Sequence, residues 1–361
     1  MAPEGPLTSP VSPVSPGTRA APSAPRDPAW AVEPPRAGGG AQVEATAGAG
    51  AQPYAQQPAP LSLPLPVAAS MSALRSSPLP SMPPNAQAAL AAEFRVALDA
   101  GVHGLCFSPY LEGQAPGAQV SETQIRARLE LIRAHTRWIR SFSCTDGHQH
   151  TPRIAHELGL KTLVGAWLGT DREINEREIR GVIEVARAGH ADIVAVGNEV
   201  LLREDMPEEE LLACLQRVKE ALPGVRVGYV DAYYLFELHP RVTAACDVIL
   251  TNCYPFWEGC PREQALAYMG SMVRRTRAVA GGKPVIVSET GWPDQGSAFH
   301  GAVPSVEGAM RYFIDTLRWA RDDGVEVFYF AAFDEAWKVG AEGDVGACWG
   351  LWDNDGAPKF A

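Results

Sequence analysis

Two apolar runs of this 361-residue chain end in a glutamate. "DIVAVGNE" closes on Asn198-Glu199, and "PVIVSE" closes on Glu289 and runs on into "TGWP". A single carboxylate at such a place commonly caps the next helix or pairs with Arg or Lys. Two that face one cavity meet the needs of acetal cleavage, in which one acid protonates the departing oxygen and the other attacks the anomeric carbon or activates water. A carboxyl separation of about 5 Å gives a covalent intermediate and retention, and one of about 6.5 to 9.5 Å gives inversion through water. The two environments must also differ, one glutamate held protonated near neutral pH and the other ionised.

Aromatic residues cluster near similar positions: Trp167, Tyr254, Trp257, Trp292, Phe333 and Trp337. Flat rings cover the C–H faces of a sugar, and Asn or Asp side chains bond its hydroxyls, so these residues are candidate substrate contacts, as is Asp146. A metal reading has one foothold, "DGHQH" with His148 and His150 and with His156 nearby. Neither a C-x-x-C nor an H-E-x-x-H pattern accompanies it, and acetal cleavage by two carboxyls needs no metal, so no metal and no cofactor are expected. A glycine-rich phosphate loop and a dinucleotide fingerprint are both missing from the sequence, which argues against an oxidoreductase on an open α/β sheet.

These groups need a scaffold that brings distant segments together. Eight β-rich runs follow Pro84, at 102–110, 138–144, 161–169, 192–199, 226–232, 247–255, 284–292 and 326–334. They are apolar on both alternating faces, as in a parallel sheet covered on two sides. Helical patterns separate them. "SETQIRARLELIRAH" opens with a Ser-x-x-Gln capping box and places Ile125, Leu129 and Ile132 on one face; "MPEEELLACLQRVKEALPG" has acids first, cations later and Pro-Gly at its end. Strand plus helix recurs about every 32 residues, the pattern of an α/β (β/α)8 TIM barrel, in which reactive groups sit at the carboxyl ends of strands. Only 24 residues follow Trp337, without a helical period. The amphipathic stretch 85–101 is therefore expected to pack where an eighth helix is short or missing.

Composition divides the chain at residue 84. Nineteen of the 31 prolines lie between Pro3 and Pro84, among Ala, Gly, Ser and Gln. Such a segment has too little apolar surface to offset its ordering entropy, so 1–84 reads as a disordered Pro/Ala/Gly-rich tail and 85–361 as one catalytic domain. The tail holds four basic and four acidic residues, so the net charge of −11 belongs to the rest. An acidic domain without basic clusters is no nucleic-acid partner. No apolar run approaches the roughly 18 residues of a membrane span. The seven scattered cysteines suit buried reduced thiols rather than a disulfide framework. The N-terminus shows no export leader, which points to a cytoplasmic location unless the true start is Met71 or Met82. Nothing in the sequence sets an oligomeric state.

"VGNEV" at 196–200, "TNCYPFW" at 251–257, "VIVSETGWP" at 285–293, and "FAAFDEAWK" at 330–338 followed by "WGLW" at 349–352 resemble family 17 of the glycoside hydrolases, the β-1,3-glucanases and β-1,3-glucanosyltransferases. The likeness runs from Gly104 to Phe360. It implies a retaining enzyme with Glu199 as acid/base and Glu289 as nucleophile. Asn198 would sit beside the sugar 2-hydroxyl, Tyr254 near the nucleophile, and Glu335 and Lys338 in a supporting polar network. The implied partner is a β-glucan polysaccharide or oligosaccharide. Hydrolysis and transfer share their first step, so the motifs do not separate them; a carbohydrate-binding barrel without catalysis would be expected to lack one of the two carboxylates. Cys348 stands where family members often carry histidine or another large residue, and the tail has no counterpart among these motifs.

Overall fold

A computed structural model describes residues 83–340 and 342–360. The expectations for the tail and for a start at Met71 or Met82 therefore lie outside the described residues, apart from Pro83 and Pro84. Eight strands, β1 (Val102–Cys106), β2 (Thr136–Ser141), β3 (Lys161–Ala166), β4 (Ile193–Asn198), β5 (Arg226–Ala232), β6 (Val248–Asn252), β7 (Val285–Thr290) and β8 (Val327–Tyr329), pair in sequence order into a closed parallel barrel. The (β/α)8 expectation holds. All but β5 are shorter than the apolar runs that signalled them, because the ends of those runs, such as 107–110 and 330–334, leave the ladder at the rim.

Around the barrel lie α1 (Pro84–Asp99), α2 (Glu122–Ile132), α3 (Thr151–Glu157), α4 (Arg172–Arg187), α5 (Glu208–Ala221), the short α6 (Leu235–Leu238) and α7 (Pro240–Ala245), α8 (Arg262–Val279) and α9 (Val306–Asp322). Local chemistry sets their ends. The Ser121 hydroxyl accepts the Gln124 N–H at 3.2 Å, and Ile125, Leu129 and Ile132 are buried as their spacing predicts. In α5 the acids Glu208, Glu209 and Glu210 occupy the first turn and Lys219 the last, in keeping with the helix dipole. No helix among the described residues is long and apolar enough to cross a membrane.

Among the described residues after β8, the helical elements are two short 3-10 turns, Ala336–Val339 and Gly343–Val345. The expected compensation is present. α1 buries Leu90, Phe94 and Leu98, the Phe94 ring lies 4.8 Å from Phe313 of α9 and 5.1 Å from Phe360, and Glu93 pairs with Arg318. A helix that precedes β1 thus covers the flank that a helix following β8 would otherwise cover.

Candidate active site

Glu199 stands one residue beyond the fully buried β4. Its backbone is left-handed, with φ +50°, and Gly197, two residues earlier, has φ +85°. The β4–β5 register slips between Ala195 and Asn198, and the Glu199 N–H is donated to the Val230 carbonyl at 2.8 Å. This sharp turn keeps the side chain at the strand end, 5% exposed. Its hydrogen-bond donor among the described residues is neutral: Asn252 Nδ2, at the end of β6, reaches Oε1 at 2.8 Å. Asn252 is itself held by the Ser288 hydroxyl at 2.9 Å. Burial, and then the negative charge of Glu289, push the Glu199 carboxyl above its ordinary range.

Glu289, on β7 and 2% exposed, has the opposite surroundings. Arg140 of β2 makes an ion pair with its Oε1, and the Tyr254 hydroxyl donates to Oε2 at 2.7 Å. The second terminal nitrogen of Arg140 donates to Asn198 Oδ1 at 2.7 Å, so one buried guanidinium ties the nucleophile candidate to the neighbour of Glu199. A carboxylate with a cation and a hydroxyl on its two oxygens is suited to attack; a buried carboxyl with no cation bonded to it is suited to donate a proton. The two glutamates, 90 positions apart in sequence, are linked through their neighbours: Arg140 joins Glu289 to Asn198, and Ser288, next to Glu289, holds the Asn252 that reaches Glu199.

The polar network beside them comes from the segment after β8. Lys338 Nζ lies 3.0 Å from Glu335 and 3.5 Å from Glu342, and 4.2 Å from the Phe330 ring centroid. Burial opposes its charge, but the two carboxylates outweigh that and hold the ammonium above its ordinary range. Trp167, half-buried beyond β3, packs under Arg203, whose guanidinium is 4.8 Å from the ring centroid. Tyr254 and Trp257 are also half-buried, both against Trp349, with ring centroids 5.5 and 5.7 Å away.

The model of the BtgE/BtgC glycoside hydrolase domain matches residues 104–350. The chain belongs to that family. Among curated relatives it is similar to glucan 1,3-beta-glucosidase BGL2 of Candida albicans, 27% identical over 259 residues that cover 64% of this chain and 84% of the relative. A glucan 1,3-beta-glucosidase of Saccharomyces cerevisiae is 23% identical over 270 residues, 68% of this chain and 86% of that protein. Among solved structures, the glycoside hydrolase family 17 beta-1,3-glucanosyltransferase of Rhizomucor miehei aligns with a TM-score of 0.65 and 26% identity, covering 72% of this chain and 96% of that one.

In this glycoside hydrolase domain two of the expected substrate contacts need correction. Trp292 is 1% exposed, donates its indole N–H to the Val303 carbonyl at 3.1 Å, and packs on Phe256 and Tyr312. Phe333 is 2% exposed with the Arg128 guanidinium 3.6 Å above its ring. Both are wall packing, because an aromatic at a strand end is as readily buried under the rim as presented on it. The histidines scatter to separate partners: His148 to the Tyr110 hydroxyl at 3.0 Å, His150 to Glu122 at 3.3 Å, His156 to Asp192 at 3.0 Å. Asp146 lines a polar cleft with Arg153 and Arg177 on the barrel's flank. The residues that sequence reasoning missed are Arg140 and Asn252. Each had a signal: Arg140 is a cation within the run that forms β2, and Asn252 is an amide that closes the run that forms β6.

Proposed function

We propose that this domain is a retaining enzyme of glycoside hydrolase family 17 that cleaves β-1,3-glucosidic bonds of glucan by double displacement. Glu289 attacks the anomeric carbon and forms a glucosyl ester, while Glu199 gives its proton to the departing sugar oxygen. Glu199, now a carboxylate, then takes a proton from the incoming hydroxyl, which displaces Glu289 and restores both groups. The observation behind this reading is the division of labour between two buried glutamates, one bonded to Arg140 and Tyr254 and the other raised by burial. The relatives named as glucan 1,3-beta-glucosidases support the choice of linkage.

A second reading differs only in the incoming hydroxyl. If that of another sugar replaces water, the enzyme is a β-1,3-glucanosyltransferase, and the likeness to the Rhizomucor miehei enzyme, a structure of whose active-site mutant holds laminaritriose, favours it. Incubation with laminari-oligosaccharides of defined length decides between them. Products longer than the substrate mean transfer, and shorter products alone mean hydrolysis. Newly formed reducing ends that are first α by NMR would contradict retention.

A further inference from the structure

We propose that Tyr229, backed by Asp231, is a positioning residue that locks the strained turn carrying Glu199, so that proton donation to the leaving sugar depends on the Tyr229 hydroxyl. The proposal rests on the reading of Glu199 as the acid/base. Three observations converge on it. The Tyr229 hydroxyl accepts the Leu201 N–H at 2.9 Å, two residues after Glu199, and itself donates to Asp231 Oδ2. The Tyr229 ring occupies the space beside Gly197: a Cβ built there would lie 3.3 Å from Tyr229 Cε2 and 2.9 Å from Val200 Cγ2. Between the two side chains, the Val230 carbonyl takes the Glu199 N–H at 2.8 Å. Two successive residues of β5, Tyr229 and Val230, therefore hold the turn at positions 197, 199 and 201, and Asp231 holds the first of them.

The left-handed backbone of Glu199 explains why such a clamp is needed. A non-glycine residue at φ +50° persists only where its surroundings over-determine it. Asp231 completes the clamp. It is 0% exposed, accepts the Ala232 N–H at 2.8 Å as well as the Tyr229 hydroxyl, and has no part in the double displacement. A carboxyl in that place directs the tyrosine proton away from Leu201, which leaves the hydroxyl oxygen free to accept.

Leaving groups separate this role from general scaffolding. A dinitrophenolate departs without protonation, whereas a sugar oxygen requires it. Tyr229→Phe keeps the ring over Gly197 and deletes the oxygen. It should lower kcat/KM for laminaritriose by about 30-fold and for dinitrophenyl β-laminaribioside by less than about 3-fold. Asp231→Asn keeps the hydroxyl but weakens the bond that orients it, so a smaller loss confined to laminaritriose is expected. Circular dichroism establishes which variants fold, and if Tyr229→Phe does not, the Asp231→Asn ratio decides. Equal losses on both substrates, or none on either, overturn the proposal. A wild-type enzyme inactive on both substrates would instead defeat the proposed function itself.

Discussion

Glu199 and Glu289 are the same residue type in opposite surroundings, and their variants should fail in distinguishable ways. Glu199→Gln and Glu289→Gln should each lose about 10³-fold or more in kcat on laminari-oligosaccharides. Azide then tells them apart. With Glu199→Ala and an activated aryl substrate, azide meets the glucosyl ester and yields a β-azide; with Glu289→Ala it takes the place of the missing carboxylate and yields an α-azide. The same azide from both variants would contradict the assigned roles. In the proposed double displacement Glu199 has to be protonated for the first step, and burial plus the charge of Glu289 raise it, so the alkaline limb of kcat/KM should lie above the ordinary carboxylate range. Both glutamates stand out in the sequence because a polar residue that ends an apolar strand is conspicuous. Their asymmetry does not. It comes from Arg140 on β2 and Asn252 on β6, residues whose own strands give no hint of where their side chains meet.

At the scale of elements, the alternation of apolar runs and amphipathic stretches was enough to establish a barrel, since eight strand runs with helices between them have few other closures. Strand ends were less legible. Residues such as Phe330 and Phe333 continue the apolar pattern of β8 but pack under the rim, because burial beneath a loop and burial within a ladder select the same residue types. The amphipathic stretch before β1 makes a sharper test, as it lies outside the eight-fold pattern yet completes it. Phe94 sits at the junction of α1, α9 and Phe360, so Phe94→Ala should destabilise the domain by about 3 to 5 kcal/mol. Val96, on the same helix but 71% exposed, should tolerate alanine to within about 0.5 kcal/mol. Denaturant unfolding of the two variants checks this. Equal midpoints, or a fully stable chain lacking 85–100, would mean that α1 is not part of the folded core.

For the whole molecule, the excess of acid matters less as a total than through where the acids lie. Exposed carboxylates such as Glu157 and Glu176 are held low by hydrogen bonds from arginines, so what they contribute to stability is lost only as pH falls through the carboxylate range. The buried acids behave in the opposite way. Burial pushes Asp231 and Glu342 up to about 7 and Asp334 up to about 6, so the folded chain binds more protons than the unfolded one between the ordinary carboxylate range and those values. Stability from these groups is fully present below the unfolded pKa and lost as pH rises through the folded one. Two histidines, His148 buried and His103 half-buried, oppose this over part of the range. His103 and His148 are pushed down to about 4, so their contribution is gained as pH rises from there to the unfolded value near 6.5. The two effects offset one another in mild acid, and above it only the carboxyls continue to titrate. Tm should therefore fall as pH is raised from about 6 to about 8, while the exposed arginine–glutamate pairs stay charged throughout. Glu342→Gln removes one of the acids that must ionise inside the fold and should flatten that fall; a variant whose Tm declines as steeply as the wild type's would assign the loss to other groups.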